Sequence, residues 1–497
     1  MSVFPMQVGS ARMRLAMVCA AALLSASLVA GCGAGLRPVI TPINPSGPAG
    51  QPSAYAVVVS NTGSASQGIA TVVDYAGDTI MVQAPIGPGP IGFTVDGTGS
   101  SGFSLNSDGT LTNFQISGNQ PQQKNISFST LPGAANIVNL YSTAASLFAP
   151  DLNGNVTDVL TGFPETFKLA VPVSPTPVMV VGAAGAGARA YSIAQNFTDA
   201  SGVACTASPR TVGATGVAEA IEPDSFTISA RIPLGVCPVF AITSSDFRRV
   251  FVLNRGDDTI TVINSEHNAL NQCTPFLSQT GQLVTCHPSL PLSTAAGLKG
   301  ANVPAIAGPV YAEYNFVTNQ LVVADYDGNA ISIIDVTLDQ YGNDSPTFGT
   351  TYTVPVGTNP AGVTVLHDGS RAYTANQTDG TVSEVNMLSH TLVKTLPVIG
   401  HPRTVVSTQN SLFGKVYVAA PDSQYLTIIR TDQDIIDTTV LIQGKPLDVR
   451  TTNQNGSSGN AQINSRMPGH GQPCNLPLGQ LGPLGSLTLQ RCQSQTP

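Results

Sequence analysis

Side chains able to do chemistry are scarce in this chain, since only 10% of its 497 residues are charged. Arg403 offers a planar fork of donors, which suits a carboxylate or a phosphate group. His401 lies two residues earlier and, as an imidazole that titrates near neutral pH, can serve as a general base. Glu313 is a further acid–base candidate. Each of the three also has a plainer interpretation as a salt-bridged or exposed residue, and the sequence leaves both interpretations open.

Established catalytic and metal-binding motifs are absent from the sequence. It contains no P-loop, no H-E-x-x-H and no G-x-S-x-G, and its six histidines show no paired ligand spacing. Gly87, Gly89 and Gly92 match G-x-G-x-x-G, but prolines separate them and no helix is predicted to follow. The oxygen-rich segment 151–158 has the composition of turns and lacks the bidentate glutamate of a calcium loop. We therefore predict neither a cofactor nor a resident metal.

The first 31 residues are predicted to be a lipoprotein signal peptide. Arg12 and Arg14 precede an apolar run over residues 15–30, and a glycine then leads into Cys32. The ending Val-Ala-Gly-Cys resembles the bacterial lipobox, which implies cleavage before Cys32 and lipidation of its thiol. An ordinary signal peptide and a membrane span remain as alternatives, although a run of 16 residues is short for a span.

Residues 32–53 are rich in proline and are predicted to form a semi-rigid tether. By resemblance to Gram-negative lipoproteins, Gly33 after the lipidated cysteine implies sorting to the outer membrane. We therefore expect an extracytoplasmic protein that its lipid holds on the membrane of the bacterial envelope. The net charge of −8 and the lack of a basic cluster exclude nucleic acid as a partner.

The cysteines agree with export to an oxidising compartment. Without Cys19 and Cys32 the chain keeps an even number, which permits 15 disulfide pairings and shows no C-x-x-C spacing. Pairing between nearest neighbours is one choice among these. That choice gives Cys205–Cys237, Cys273–Cys286 and Cys474–Cys492.

A repeated pattern of strands and turns runs through the rest of the chain. Pairs of short apolar strands around an Asp, Asn or Gly turn begin at Arg249, Gln320, Arg371 and Lys415, with more degenerate copies earlier. A third strand follows each pair and ends at a junction that contains proline, and eight such junctions occur. A unit of about 45 residues with four short strands is the size of one β-propeller blade.

The repeat resembles the YVTN type of β-propeller repeat. The resemblance is clearest at Val416–Ala420, Asp379–Val385 and Val354–Val363. It implies an all-β fold with a single β-propeller of four-stranded blades.

Counting the units favours eight blades over seven, within a propeller that spans residues 54–450. The last junction leads into Pro446–Arg450, which would supply the inner strand of the first blade and close the ring. Residues 451–497 are predicted to form an irregular tail that contains two of the cysteines.

Family resemblance makes the junction loops the place to look for a binding site, because these loops meet at the mouth of the central channel. Arg403, Lys445 and Asn359 are the candidate ligand-binding residues there. Downstream of the junction prolines, the inner strands carry few charged residues. They are Glu313, Arg403, Asp448 and Arg450.

Two functions follow from these residues, and a third class, an accessory subunit in periplasmic electron transfer, would require a partner to carry the cofactor. The first is a non-catalytic binding or scaffold propeller that recognises a protein, peptide or glycan at its rim or channel mouth. The alternative is a lactonase-like hydrolase acting on sugar or muconate-type lactones, since propellers that resemble this repeat include such enzymes. In that alternative, His401 and Glu313 are base candidates, while Arg403 and Lys445 stabilise the developing negative charge. It requires His401, Arg403 and Glu313 in one pocket.

Overall fold

The computed structural model describes residues 55–452 apart from residues 64–66, 76, 97–98, 117–125, 131–136, 143–145, 161–164, 184–188, 197–214, 223, 279–280, 293–307, 409–411 and 413. Strands and turns make up this part of the chain. No helix long and apolar enough to cross a membrane occurs in it. The predicted signal peptide, the tether, Cys205, and the tail with Cys474 and Cys492 lie outside the described residues.

Eight antiparallel sheets of four strands form the blades, numbered here from the first described strand. Blade 1 comprises β1 (Tyr55–Asn61), β2 (Gly68–Asp74), β3 (Ile80–Ile86) and β35 (Lys445–Thr451). Blade 2 comprises β4 (Pro90–Val95), β5 (Ser101–Asn106), β6 (Thr110–Gln115) and β7 (Ile126–Thr130). Blade 3 comprises β8 (Tyr141–Ser142), β9 (Ser146–Asp151), β10 (Asn155–Leu160) and β11 (Thr166–Pro172). Blade 4 comprises β12 (Pro177–Ala183), β13 (Arg189–Ala194), β14 (Thr215–Glu222) and β15 (Thr227–Val236).

The second half of the ring follows the same order, with extra strands in blade 5. Blade 5 comprises β16 (Pro238–Thr243), β17 (Arg249–Asn254), β18 (Thr259–Asn264) and β19 (Ala269–Leu270), followed by β20 (Phe276–Leu277), β21 (Leu283–Val284) and β22 (Ser289–Pro291). Blade 6 comprises β23 (Pro309–Asn315), β24 (Gln320–Asp325), β25 (Ala330–Asp335) and β26 (Thr351–Pro355). Blade 7 comprises β27 (Pro360–Val365), β28 (Arg371–Asn376), β29 (Thr381–Asn386) and β30 (Thr391–Pro397). Blade 8 comprises β31 (Thr404–Thr408), β32 (Lys415–Ala419), β33 (Tyr425–Arg430) and β34 (Ile435–Leu441).

The ring closes by pairing the last strand with the first. Strand β35 is the inner strand of blade 1 and runs antiparallel to β1, with Arg450 opposite Val57. Beyond the strand, Thr452 N donates to the carbonyl of Tyr55 at 3.0 Å. The predicted eight-bladed propeller and its closing strand are both confirmed, and the early degenerate units all form blades.

The two faces of the ring differ in the loops they carry. Each inner strand starts at the face where the proline junctions lie, which we call the junction face. The opposite face carries the turns between first and second strands and between third and fourth strands. Tyr55 and Thr452, the two ends of the described chain, also lie there, so we call it the terminal face.

The proline junctions share one backbone feature, a residue in the left-handed region. In blades 2, 4, 5, 6 and 7 the residue before the proline has a φ between 48° and 57°. These residues are Gly89, Thr176, Cys237, Gly308 and Asn359. In blades 8 and 1 the left-handed residue comes one position earlier, at Gly400 and Gly444. The sharp turn leads the chain from the outer strand of one blade into the inner strand of the next.

An asparagine at the end of the second strand stabilises several hairpins. Asn254 Nδ2 donates to the hydroxyls of Thr259 and Thr261 at 3.0 and 2.8 Å. Asn376 makes the same pair of bonds to Thr381 and Ser383. The repeated asparagine in the sequence therefore has a structural role, because it joins two strands next to a turn.

The outer edge of blade 5 contains an insertion. Its fourth strand is split, so that β19 pairs with one end of β18 and β22 with the other. Between them, residues 271–288 form an excursion with its own hairpin of β20 and β21, which we call the finger. A Cys273–Cys286 disulfide closes it, as predicted. Cys237 is also disulfide-bonded, and its partner lies outside the described residues.

One fully buried carboxylate, that of Asp344 in the loop before β26, docks the finger onto blade 6. Asn271 Nδ2 donates to its two oxygens at 3.0 and 2.8 Å. The backbone N–H of His287 donates to it at 2.9 Å, and Nδ1 of His287 also lies 2.9 Å from it. Arg249 Nη2 approaches at 3.3 Å and also donates to the carbonyl of Gly342. Asn271 and His287 lie at the two ends of the finger, so their hydrogen bonds to Asp344 hold both ends against blade 6.

Candidate functional site

The structure places three predicted site residues on one sector of the junction face. His401 and Arg403 lead into the inner strand of blade 8, and Lys445 begins the inner strand of the neighbouring blade 1. Lys445 and His401 are exposed. Arg403 is buried, with 9% of its surface accessible. Asn359 lies at the junction of blade 7 and Glu313 on the inner strand of blade 6.

Ring closure creates a buried charge cluster beside Arg403. Asp448 and Arg450 lie on β35, and each is 2% exposed. Arg450 Nε donates to Asp448 Oδ2 at 3.1 Å. Asp448 Oδ1 also accepts from the backbone N–H of Val449 at 2.8 Å. Arg403 is close enough for its charge to lower the pKa of Asp448, and we call these three residues the closure cluster.

The electrostatics of the closure cluster reflect both burial and mutual attraction. Burial raises the pKa of Asp448, while Arg450 and Arg403 lower it. Burial also lowers the pKa of Arg403, and the charge of Asp448 opposes that shift. Arg450 Nη2 is buried and has no hydrogen-bond partner among the described residues.

The position of Arg450 distinguishes blade 1 from other blades. Arg450 pairs with the third residue of the second strand of its blade. The equivalent position holds Thr94 in blade 2, Ile242 in blade 5 and Thr364 in blade 7. Blade 6 has Glu313 there. The ring therefore has a basic inner strand at its closure and an acidic one three blades away.

His401 makes a local contact at the junction of blade 8. Its Nδ1 lies 2.5 Å from Asp422 Oδ2, and its backbone N–H donates to Asp422 Oδ1 at 2.8 Å. Burial alone would raise the pKa of Asp422, but these bonds hold it below its ordinary value. Asp422 thus positions the His401 ring at the exposed edge of the channel mouth.

Asn359 joins blades 6 and 7 through its hydrogen bonds. Its backbone N–H donates to Asn329 Oδ1 at 2.9 Å, and its Nδ2 donates to the carbonyl of Tyr326 at 3.0 Å. Its Oδ1 accepts from the hydroxyl of Thr378 at 2.7 Å. These contacts give Asn359 a structural role at the junction, because both its amide nitrogen and its amide oxygen are engaged within the fold.

The three residues that a lactonase would need are distributed over two separated blades. His401 and Arg403 belong to blade 8, whereas the buried Glu313 belongs to blade 6, and blade 7 lies between them. The structure brings Arg403 next to Asp448 and Arg450 instead. Among the described residues, no group of three or more His, Cys, Asp or Glu side chains is arranged to hold a metal ion.

A further set of contacts, between neighbouring blades, was missed by the sequence reasoning. At the start of β28, Arg371 Nη1 lies 2.5 Å from Asp434 Oδ2 of blade 8, and the Tyr373 hydroxyl donates to the same carboxylate. Lys415 makes the equivalent contact to Asp78 of blade 1 at 2.6 Å. A basic residue two positions before a tyrosine recurs at these strands, and that spacing is the sequence signal for the contact.

Comparison with known proteins supports the fold. Apo AztD from Citrobacter koseri matches with a TM-score of 0.52 at 11% identity, over 80% of this chain and 97% of that one. The dihydro-heme d1 dehydrogenase NirN, in complex with DHE, gives 0.50 at 13% identity over 83% and 78%. A putative 6-phosphogluconolactonase from Bacteroides fragilis gives 0.49 at 13% identity over 82% and 99%. No family model and no curated protein matches the chain. At these identities the first two likenesses show the propeller fold alone.

Proposed function

We propose that this protein is a non-catalytic binding propeller that takes an anionic group of a protein, peptide or glycan partner at the closure cluster. One observation carries the proposal: Nη2 of Arg450, a residue that is only 2% exposed, has no hydrogen-bond partner among the described residues. A buried donor that is left without an acceptor is costly. A carboxylate or phosphate group of a partner supplies an acceptor with the geometry that guanidinium groups prefer.

The exposed residues of the same sector support an approach of the anion from the junction face. Lys445 and His401 stand at the surface above blades 1 and 8, where an incoming anion meets them first. Exposed charges of this kind mainly affect the association rate and its salt dependence. The buried arginines would then provide most of the affinity, because their interactions are less screened by water.

A thermal-shift titration of the full chain tests the proposal. The probes are inorganic phosphate, acetate, glucuronate and an acidic peptide, with glucose as the uncharged comparison for glucuronate. A probe at a hundred times its Kd raises the free energy of unfolding by about 2.7 kcal/mol. We expect anionic probes to raise Tm, and the Arg450→Gln variant to lose that response.

The matched control is Arg430→Gln, which removes the same charge from a pair with Asp432 on the terminal face of blade 8. It should respond to anions like the original chain. An equal loss of response in both variants would show a nonspecific salt effect and overturn the proposal. So would an unchanged response in Arg450→Gln.

We also propose that the propeller is held in the bacterial envelope, at the outer membrane, by a lipid on Cys32, and that its blades are of the YVTN type. The apolar run before Cys32 and the disulfide in blade 5 support an extracytoplasmic location. Metabolic labelling with a palmitate analogue tests the anchor. The label should enter the original chain and be absent from Cys32→Ser, and equal labelling of both would refute lipidation at this residue.

A further inference from the structure

Exposed apolar side chains are distributed unevenly over the propeller. Nineteen large apolar side chains are exposed among the described residues. Twelve lie at the terminal face, three at the junction face, three in the finger, and Leu169 midway along β11. Single exposed apolar residues are ordinary on a protein surface, but their concentration on one face indicates an interaction surface.

The densest part of this surface lies on blades 6 and 7. It includes Val317, Tyr341 and Tyr352 of blade 6 and Leu388, Leu392 and Val393 of blade 7. Leu388 is 90% exposed at the tip of a turn. The junction face has only Ile399, Tyr425 and Leu441 among the described residues. The channel mouth and the apolar surface therefore lie on opposite faces.

Two of the segments that carry these apolar side chains contain no charged residue. The segment 386–393 contains no Asp, Glu, Lys or Arg, and its His390 ring stacks on Tyr352 with centroids 3.8 Å apart. The finger, over residues 271–288, also lacks these four residue types and exposes Phe276, Leu277 and Leu283. An apolar medium that covers these two segments would therefore bury no charge belonging to them.

The described chain begins on the same face. Tyr55 is at the terminal face, beside Thr452. The sequence before it contains the apolar run of residues 15–30, Cys32 and 22 further residues up to Ala54. The 22 residues between Cys32 and Tyr55 span at most about 75 Å when fully extended. That length is enough for the propeller to rest on the membrane that holds its anchor.

We propose that the terminal face of blades 6 and 7, together with the finger of blade 5, docks onto the surface of a lipid bilayer. The proposal rests on the envelope anchoring proposed above and names the face that meets the membrane. Leu388, Leu392, Val393, Phe276 and Leu277 enter the interfacial layer, where aromatic and leucine side chains are favoured. The junction face, with Lys445 and His401, then points away from the bilayer.

Carboxylates beside this patch set the lipid preference. Asp339 lies two residues before Tyr341, and Asp368 lies in a turn of blade 7, where it accepts the hydroxyl hydrogen bond of Ser370. Docking should therefore be stronger on zwitterionic than on anionic lipid, because acidic groups at the surface are repelled by anionic headgroups.

A single tryptophan provides the test, since the natural chain contains none. We would place it at the terminal face with Leu388→Trp and at the junction face with Leu441→Trp, which replaces a residue of 57% exposure. Both full-length chains would be mixed with phosphatidylcholine vesicles, with and without bromine-labelled acyl chains as a quencher. Flotation measures whether the chain binds the vesicles, and the fluorescence shows which face touches them.

We expect both variants to float, and only Leu388→Trp to shift its emission to shorter wavelength and be quenched by the labelled lipid. Flotation with equal responses from the two variants, or with none, would overturn the docking face and leave the anchor intact. Absence of flotation would overturn anchoring and docking together, while anion binding at the closure cluster is measured separately. A shift that depends on protein concentration without vesicles would assign the face to a second copy of the chain and also overturn the proposal.

Discussion

Two buried arginine–aspartate groups show how the same residue types can serve structure or binding. Between blades 5 and 6, Asp344 is surrounded by Arg249, Asn271 and His287, so both of its oxygens have several donors. At the ring closure, Asp448 accepts from Arg450, and the charge of Arg403 also acts on its pKa. Each group leaves one arginine nitrogen without a hydrogen-bond partner among the described residues, Nε of Arg249 and Nη2 of Arg450.

The difference between the groups is which arginine nitrogen is left without an acceptor. The terminal nitrogens of Arg249 donate to the carbonyls of Arg248 and Gly342, so its unpartnered nitrogen is Nε. At the closure cluster the unpartnered nitrogen is the terminal Nη2 of Arg450. An added carboxylate or phosphate can accept from a terminal guanidinium nitrogen, so the closure cluster can take an anion.

Replacing the two aspartates should produce the largest effects and separate the two groups. Both Asp344→Ala and Asp448→Ala leave buried arginines without their carboxylate, so each should lower the free energy of unfolding by about 3–5 kcal/mol. Phosphate should restore part of the Tm of Asp448→Ala, because an anion can enter between Arg403 and Arg450. It should not restore Asp344→Ala. Urea unfolding and thermal melts with and without phosphate measure both outcomes.

The control is Asp432→Ala, which breaks an exposed pair and should cost at most about 1 kcal/mol. Rescue of Asp344→Ala by phosphate to the same extent would remove the distinction between a structural and a binding group.

Opening the finger should have the next largest effect. Replacing Cys273 and Cys286 together by serine frees a loop with a sequence separation of 13 residues, which should cost about 3 kcal/mol. The finger supplies Asn271 and His287 as donors to Asp344, so its release also weakens the hydrogen bonds around that carboxylate. Anion binding at the closure cluster, on blades 1 and 8, should be unchanged. A loss of anion binding in this variant would mean that the two groups are not independent.

The smallest predicted effect concerns the contact of blades 7 and 8. There Glu384 and Asp434 lie near the cations Arg371 and Lys394. Burial and then the charge of Asp434 raise the pKa of Glu384 from 4.5 to about 7, against the opposing effect of Arg371. Between these values the folded chain binds more protons than the unfolded chain, so this group's contribution to stability falls as pH rises through that window.

Glu384→Gln should therefore reduce the loss of stability between about pH 5 and about pH 8. Urea unfolding of both chains across that range measures the slope. A slope as steep in the variant as in the original chain would show that Glu384 does not hold its extra proton in the folded state. Asp432→Asn, on the surface of the neighbouring blade 8, is the matched control.

Most of the fold could be predicted from the sequence because each blade is encoded locally. Hairpins such as β24–β25 carry their own turn residues, and the prolines mark each junction, so counting repeats led to eight blades. The Cys273–Cys286 pair was also predictable, since the two residues are close in sequence. The weak early repeats gave a less certain count because their side chains match the pattern poorly, although strand pairing tolerates the mismatch.

The candidate site was only partly predictable. Arg403 was identified from its place after a junction proline, and Asp448 and Arg450 were recognised as unusual charges on an inner strand. Their combination was not predicted, because residues of β35 meet the start of β31 only when the ring closes. The docking of Asp344 under the finger was missed for the same reason, since its donors lie 57 to 95 residues away.

The sequence by itself determined the all-β architecture, the number of blades and the strand that closes them, because these follow from local turn chemistry and from period-2 patterns repeated along the chain. Only the tertiary structure decided which charges share a carboxylate, which residues face the channel mouth, and that the exposed apolar residues collect on the opposite face. Those properties depend on the position of each strand around the ring. Electrostatic and hydrophobic interactions act through space, so they join residues that no local pattern relates.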